Sequence, residues 1–134
     1  MPFHQLFVQL TFATVQRAPL IKVELEDRVF KTLEDRCKGL ECRPVAVGGM
    51  PDHVHLLVEL PPALSVCALA GEVMSASSEV MQQALGPKVP FQWQEAFGAI
   101  TLRMDEVDGV ARYIANQKDL HLHGKLSKVL ERAN

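Results

Sequence analysis

Four side chains in two segments of the sequence could together carry out metal-assisted chemistry on a phosphate. Tyr113 is the one tyrosine of the chain, and Gln117 follows it by four residues in a segment with a helical pattern. His53 and His55 lie about sixty residues upstream, in a run that is typical of a strand. A phenol is a nucleophile, and two imidazoles with an amide oxygen can hold a divalent ion against a phosphodiester. This combination predicts metal-assisted phosphoryl transfer.

The two histidines are predicted to share one face of a strand, because side chains at alternate positions point the same way. At a rise of about 3.3 Å per residue their Cα atoms lie about 6.6 Å apart, close enough for both rings to bind one ion. Val54, Leu56 and Val58 point to the other face, which is apolar and must therefore face helices. A bare pair of this kind also occurs on exposed strands without any role, and a third ligand has to come from elsewhere.

Tyr113 and Gln117 are predicted to project from the same side of a helix, on the flank of its apolar stripe. A tyrosine at such a position is commonly a half-buried packing residue. In the functional interpretation the phenol, with an ordinary pKa near 10, needs a metal to assist its attack. Gln117 then offers an uncharged oxygen as the third ligand. Such a site, with open positions, suits Mg²⁺ or Mn²⁺ better than a closed structural zinc.

The composition fits one soluble domain of 134 residues, with 48% hydrophobic and 22% charged residues. We find no apolar run of membrane-spanning length and no signal-peptide pattern, so we expect a cytoplasmic protein that does not enter membranes. Three cysteines form no disulfide framework. The net charge of −2 argues against a protein that coats nucleic acid nonspecifically, although it permits a local basic site.

Hydrophobic periodicity predicts a single α+β domain over residues 1–134, with elements in the order β-α-β-β-α-β-α. The first six form the split βαβ arrangement of the ferredoxin-like fold, an antiparallel sheet with two helices on one face. The seventh either covers the sheet's open face or packs on a second subunit, and the tail after about residue 122 is expected to be mobile. The predicted elements are strand 6–14, helix 23–38, strand 42–47 (ended by residues 48–51), strand 53–60, a helix capped by Ser65 and ending near residue 86, strand 97–102, and a helix from about Asp105 to about His121.

Four segments together resemble one known family, the small single-tyrosine transposases of the insertion-sequence-200-like group, which include the REP-associated tyrosine transposases. Residues 48–58 (GGMPDHVHLLV) resemble their HUH motif, and residues 91–99 (FQWQEAFGA) resemble their Trp-Gln-x-x-Tyr/Phe-Gly block. Residues 110–117 (VARYIANQ) are similar to their catalytic helix, and residues 8–17 (VQLTFATVQR) to their opening strand. The motifs occur in the family's order and at its usual spacing, across essentially the whole chain.

The resemblance implies a metal-dependent enzyme that cuts and rejoins single-stranded DNA carrying subterminal hairpins. By position, Tyr113 would attack a phosphodiester to give a 5′-phosphotyrosine and a free 3′-OH, with His53, His55 and Gln117 as metal ligands. It also implies a homodimer in which the tyrosine helix of one subunit completes the histidine site of the other. Basic residues in or beside the motifs are the candidate DNA contacts: Arg17, Arg112 and Lys118.

The sequence departs from the family's pattern at two places. Residues 74–78 (MSASS) lack a lysine that the family commonly carries there, and the usual His-His pair after the catalytic helix is His121-Leu122 here. A repurposed or degenerate member that binds nucleic acid without cleavage is therefore the alternative. A small zinc protein built on Cys37 and Cys42 is disfavoured, because a second Cys-x-x-Cys half is absent.

Overall fold

Four antiparallel strands carry the site, and helices cover both faces of the sheet within residues 3–134, which the computed structural model describes. The strand order is β2-β3-β1-β4, and every neighbouring pair is antiparallel. This arrangement confirms the predicted ferredoxin-like α+β fold. The elements are β1 (Phe7–Ala13), α1 (Val23–Gly39), β2 (Arg43–Met50), β3 (His53–Glu59), α2 (Val66–Leu85), β4 (Gly98–Leu102), α3 (Val107–Ala115) and α4 (Gln117–His123), with short 3₁₀ turns at Val15–Arg17 and Met104–Glu106.

The main core lies between the sheet and helices α1 and α2. Alternate residues of the two central strands supply its sheet side, and apolar stripes of both helices supply the other. Ser65 caps α2 as predicted, since its hydroxyl accepts a hydrogen bond from the Ala68 amide at 3.0 Å. The buried sheet residues of this core are Val8, Leu10, Phe12, Val54, Leu56 and Val58.

Helix α3 covers the opposite face of the sheet, which answers where the seventh predicted element packs in the single chain. Val107 and Ile114 of α3 pack against Phe7 and Leu57 in a second, smaller core. Helix α3 thus lies over the face from which His53 and His55 project.

Strand β2 continues to Met50, so the prediction that residues 48–51 end this strand at Val47 was wrong. Gly48 pairs with His55 inside the sheet. A Cβ at Gly48 would lie only 2.3 Å from the carbonyl oxygen of Ile114, so glycine here permits the close approach of α3 rather than a turn. The glycine at position 48 therefore marks a special backbone position, but its reason is the close packing of α3 and not a turn.

The predicted last helix is two helices, because the chain leaves helical geometry at Asn116 (φ −106°, ψ 24°). Asp105 does not cap it; α3 begins at Val107 after the 3₁₀ turn. Helix α4 restarts at Gln117 and ends at His123, where the left-handed backbone of the following Gly124 (φ 67°) is a usual helix stop. Among the helices of residues 3–134, none combines the length and apolar character that a bilayer crossing requires.

The block around Trp93 has a structural role. The Trp93 ring packs edge-on against Phe12 with 4.7 Å between centroids, and its Nε1 donates to the Ser77 hydroxyl at 3.1 Å. The next residue, Gln94, donates its backbone amide to Ala13 at 2.8 Å and its side-chain amide to the Thr14 carbonyl at 3.1 Å. These contacts fix the chain where it leaves β1 on its way to Arg17.

Candidate metal and tyrosine site

His53 and His55 project from β3 to the same face, as the alternation of a strand predicts. Their ring centroids lie 5.0 Å apart, and their exposed fractions are 2% and 0%. Two imidazoles buried this deeply need defined polar partners, because unpaired buried polar groups are costly.

Each histidine uses its Nδ1 atom to contact an oxygen behind it. The Nδ1 of His55 lies 2.7 Å from the Gln9 amide oxygen, and the Nδ1 of His53 lies 2.8 Å from an Asp52 carboxylate oxygen. An N–H on Nδ1 satisfies both contacts, and this tautomer leaves the lone pair of a neutral ring on Nε2. This arrangement orients metal-binding histidines in many proteins.

Tyr113 and Gln117 reach the histidines from the α3 and α4 side. The Tyr113 ring lies 6.1 Å from the His55 ring, in an edge-to-face orientation. The amide oxygen of Gln117, which is buried, lies 3.2 Å from Nε2 of His53. One chain therefore brings together the four side chains that the sequence singled out.

Glu131 lies at the centre of this cluster, and no sequence pattern pointed to it. Its carboxylate oxygens lie 3.1 Å from Nε2 of His53 and 3.0 Å from Nε2 of His55. The oxygen near His55, Oε2, accepts two hydrogen bonds, one from the Tyr113 hydroxyl at 2.6 Å and one from the Gln117 side-chain amide at 3.2 Å. Because residues 124–134 carry no helical or strand periodicity, only the three-dimensional path of the chain shows this contact.

His121 also joins the cluster, one helical turn after Gln117. Its Nε2 lies 2.9 Å from the Gln117 amide oxygen and 3.2 Å from a Glu131 oxygen. The sequence offered one signal for His121. It is the histidine that remains of the family's usual His-His pair, and it is the one that reaches the site.

The donor set fits a divalent cation. Nε2 of His55 is buried and makes no hydrogen bond, although a Glu131 oxygen lies 3.0 Å away. A neutral imidazole lone pair facing a carboxylate is unfavourable unless a cation lies between them. Ligand atoms of His53, His55 and Glu131 all lie within 4.8 Å of one another. Two nitrogens, an amide oxygen and a carboxylate are ligands that Mg²⁺ or Mn²⁺ can share with a phosphate.

The pKa values of the two histidines move in opposite directions. Burial lowers the pKa of His53, but hydrogen bonds to Glu131 and Asp52 and their negative charges outweigh it, so the pKa is raised. Burial dominates at His55 and lowers its pKa despite Glu131. Neutral His55 is therefore the ring with a lone pair ready for a metal.

The pKa values of the two oxygen acids of the site, the Tyr113 phenol and the Glu131 carboxyl, are also shifted. Burial raises the pKa of Tyr113 to about 12, with the hydrogen bond to Glu131 acting in the same direction. Burial would raise the pKa of Glu131, but the close approach of the His53 and His55 rings and the hydrogen bond from Tyr113 prevail and lower it. At neutral pH the site therefore contains a protonated phenol beside an ionised carboxylate.

The three basic residues predicted to contact DNA lie in different surroundings. Arg17 follows Gln16 in a turn where both have positive φ (57° and 53°), and its guanidinium lies 3.6 Å from Asp52, beside His53. Strained backbone of this kind is concentrated at functional sites. Arg112 is exposed on α3. Lys118 instead pairs with Glu26 of α1 and donates to the Gly49 carbonyl at 3.2 Å.

Cys37 and Cys42 lie buried in the main core. Within residues 3–134, the cluster of His53, His55 and Glu131 is the group of three or more ligating side chains that could hold a metal. The zinc alternative built on the cysteines therefore has no support in the structure.

Comparison with known proteins identifies the family of this chain. The family described as IS200-like transposases matches residues 2–117, so the chain belongs to this family. Among curated proteins the chain has no match.

Two solved structures share the fold. One is a crystal structure of a candidate transposase from Deinococcus radiodurans R1, with 25% identity and a TM-score of 0.70 over 87% of this chain and 93% of that one. The other is a REP-associated tyrosine transposase bound to a REP hairpin, with 16% identity and a TM-score of 0.64 over 96% of this chain and 75% of that one. Together with the family membership, they support a transposase function and a DNA-processing enzyme.

Proposed function

We propose that this protein is a metal-dependent transposase that cuts and rejoins single-stranded DNA through a 5′-phosphotyrosine on Tyr113. The observation that carries the proposal is the meeting of the Tyr113 phenol with two inward-facing histidine nitrogens and the Gln117 oxygen in one buried cluster. A nucleophile beside a cation site is what attack on a phosphodiester needs.

In the proposed reaction, the Tyr113 oxygen attacks the scissile phosphorus. A bond forms between that oxygen and phosphorus, the bond from phosphorus to the 3′ oxygen breaks, and the 3′ oxygen leaves as a hydroxyl after gaining a proton. The phenolic proton is lost to solvent. Because one phosphate ester replaces another, a 3′-OH can later reverse the step and rejoin DNA without an external energy source.

His53, His55 and Gln117 are the proposed ligands of Mg²⁺ or Mn²⁺. Bound there, the ion would polarise the scissile phosphate and stabilise negative charge on the leaving oxygen. Gln9 and Asp52 hold the two rings from behind, so that both Nε2 atoms point into the site.

The proposed substrate is single-stranded DNA with subterminal hairpins, as the family resemblance implies. The neighbour bound to a REP hairpin supports a hairpin ligand. Of the candidate contacts, Arg17 has the strongest support, because its half-exposed guanidinium lies beside His53 at the edge of the site. We keep Arg112 as a contact on the exposed side of α3. Lys118 is the weakest candidate, since it is already paired.

We further propose a homodimer with shared sites, on the strength of the family resemblance. In such a dimer the two chains would exchange their α3 helices. Helix α3 would then make on the partner's sheet the same contacts that it makes on its own sheet, because a swapped element keeps its contacts. The cytoplasm stays the predicted location.

The test is a search for covalent protein–DNA adducts. Purified protein is incubated with labelled single strands, including the flanks of its own gene, with Mn²⁺, with Mg²⁺ or with a chelator, and resolved on denaturing gels. The proposal predicts a metal-dependent adduct that disappears in Tyr113→Phe while DNA binding is retained. Tight binding without any adduct would contradict cleavage and indicate the repurposed DNA-binding alternative.

A further inference from the structure

Lys118 links the start of α4 to two other parts of the fold. Its ammonium group forms an ion pair with Glu26 of α1 and donates a hydrogen bond to the Gly49 carbonyl of β2 at 3.2 Å. Helix α1 covers one face of the sheet, α4 lies on the face that carries His53, and β2 is an edge strand. The lysine therefore joins the two helical layers around the edge of the sheet.

Helix α4 depends on polar links because it has little apolar anchoring of its own. It is seven residues long, and its buried side chain is that of Gln117, a proposed metal ligand. Its two leucines are partly buried (Leu120) and 79% exposed (Leu122). A cavity of about 360 Å³ lies between α4 and α1, lined in part by Glu26 and Phe30. Helices are normally held in place by packing of an apolar face, so α4 has to be held by its polar contacts.

The break at Asn116 separates the position of α4 from that of α3. Helix α3 packs on the sheet through Val107 and Ile114, but the chain leaves helical geometry at Asn116 before α4 begins. The backbone torsions at such a junction set the angle between the two elements that it joins. The docking of α3 alone therefore does not fix the direction in which Gln117 points.

The second partner of Lys118 is in register with the histidine strand. Gly49 pairs with Val54, the residue between His53 and His55. A Cβ at Gly49 would lie 2.3 Å from the His53 carbonyl oxygen, so glycine permits a close approach of the two strands at this point. A side chain that binds the Gly49 carbonyl is therefore fixed relative to both histidines.

The residue that this link positions is Gln117, which directly precedes Lys118. The amide oxygen of Gln117 lies 3.2 Å from Nε2 of His53. Groups that bind a metal or react must be held within about 0.5 Å of their productive positions. A small rotation of α4 about its junction with α3 is therefore enough to take the Gln117 oxygen out of the site.

The surroundings of Lys118 also argue against a contact of this lysine with DNA. The side chain of its partner Glu26 is only 14% exposed. A phosphate that recruited Lys118 would leave this largely buried carboxylate unpaired, and an unpaired buried charge is costly.

We propose that Lys118 is a positioning residue, which together with Glu26 holds α4 at the angle that presents Gln117 to His53 and the metal. The inference rests on the proposed function, and it assigns Lys118 to the metal site instead of to DNA.

The first measurement is calorimetric titration of the full chain with Mn²⁺. Lys118→Met removes the positive charge and keeps much of the side-chain length, and Glu26→Gln removes the charge of its partner. Each variant should bind Mn²⁺ about tenfold more weakly, the lower end of the loss that is usual when a group orienting a metal ligand is removed. Lys31→Met is the matched control, because Lys31 forms an exposed ion pair with Asp35 on α1.

The double variant shows whether the two residues act as one unit. Lys118→Met/Glu26→Gln should also bind Mn²⁺ about tenfold more weakly, because the second change removes a link that the first has already broken. A loss of about a hundredfold would mean that the two residues act independently, and it would overturn the proposal.

A contact that serves only stability gives a different result. It would lower the midpoint of thermal unfolding in EDTA in Lys118→Met and leave the dissociation constant for Mn²⁺ unchanged. Equal Mn²⁺ affinity in Lys118→Met, Lys31→Met and the unaltered chain would therefore overturn the positioning role.

The second measurement separates positioning from DNA contact. A fluorescein-labelled single strand, copied from the flank of the chain's own gene, is titrated in EDTA at several NaCl concentrations. A lysine that binds a phosphate contributes about one unit to the slope of log Kd against log salt concentration. We expect equal slopes for Lys118→Met and the unaltered chain. A slope smaller by about one unit in Lys118→Met would overturn the proposal.

The proposed function and this inference fail in different ways. If Lys118 does not position Gln117, the unaltered chain still forms its Tyr113-dependent adduct, and Lys118→Met binds Mn²⁺ as tightly as the unaltered chain. If the chain is not a metal-dependent transposase, it forms no adduct and binds Mn²⁺ no better than a His53→Ala/His55→Ala variant, and both proposals fall together.

Discussion

The ring of Tyr113 lies 6.1 Å from the ring of His55 within a single chain. Helix α3 makes this possible by packing on the sheet through Val107 and Ile114. The histidine strand and the tyrosine helix are separate in sequence. The site therefore forms only where α3 packs on the sheet, either within one chain or between two chains.

Subunit mixing tests whether two copies share their sites. Tyr113→Phe and His53→Ala chains should each lack cleavage, and a mixture should recover part of it, because an exchanged α3 combines the intact tyrosine with the intact histidines. Adduct formation after verified subunit exchange measures this. No recovery would mean that each chain completes its own site, as the contacts within one chain already allow.

Replacement of Asp52 should weaken metal binding although Asp52 is not a proposed ligand. Asp52→Ala removes the carboxylate that holds Nδ1 of His53 at 2.8 Å, and losses of such partners typically cost about 10–100-fold in metal affinity. Calorimetric titration with Mn²⁺ gives the comparison, with Asp35→Ala as control because Asp35 lies exposed on α1 and pairs with Lys31. Equal Mn²⁺ affinity in both variants would contradict the orienting role of Asp52.

Mn²⁺ should stabilise the folded chain. A ligand that binds only the folded state, at about 100 times its dissociation constant, adds about 2.7 kcal/mol to the free energy of unfolding. Thermal unfolding with and without Mn²⁺ should show a higher midpoint in the unaltered chain and no change in a His53→Ala/His55→Ala double variant. The same rise in the double variant would locate the metal elsewhere.

Gly48→Ala should destabilise the packing of α3 on the sheet. The new Cβ would lie 2.3 Å from the Ile114 carbonyl oxygen, so the helix must move outward. Overpacking of this kind typically costs about 1–3 kcal/mol, and less adduct should form as Tyr113 moves with the helix. Urea unfolding of Gly48→Ala and of the unaltered chain provides the measurement, and equal free energies of unfolding would show that α3 accommodates the methyl group.

Sequence periodicity predicted the parts of the site that lie on regular elements. His53 and His55 share a face because a strand alternates, and Tyr113 and Gln117 lie together because a helix repeats nearly every four residues, even across the break at Asn116. The fold followed from the same patterns, since the apolar face of β3 had to meet helices.

The remaining features depend on contacts between distant segments. Glu131 reaches the histidines from residues 124–134, a segment without periodic structure that lies more than seventy residues further along the chain. Gly48 was interpreted as part of a turn, whereas it accommodates the Ile114 carbonyl. Neither contact follows from local sequence, because each depends on which surface α3 and the C-terminal segment cover.

The most direct test of the central claim is mass spectrometry of the protein–DNA adduct after nuclease and trypsin digestion. Cleavage after Arg112 and Lys118 yields the peptide 113–118, whose first residue is the one tyrosine of the chain. We predict a nucleotide remnant joined through its 5′ phosphate to Tyr113, formed only when Mn²⁺ or Mg²⁺ is present. A remnant on any other residue, or an adduct that persists in Tyr113→Phe, would contradict the proposed mechanism.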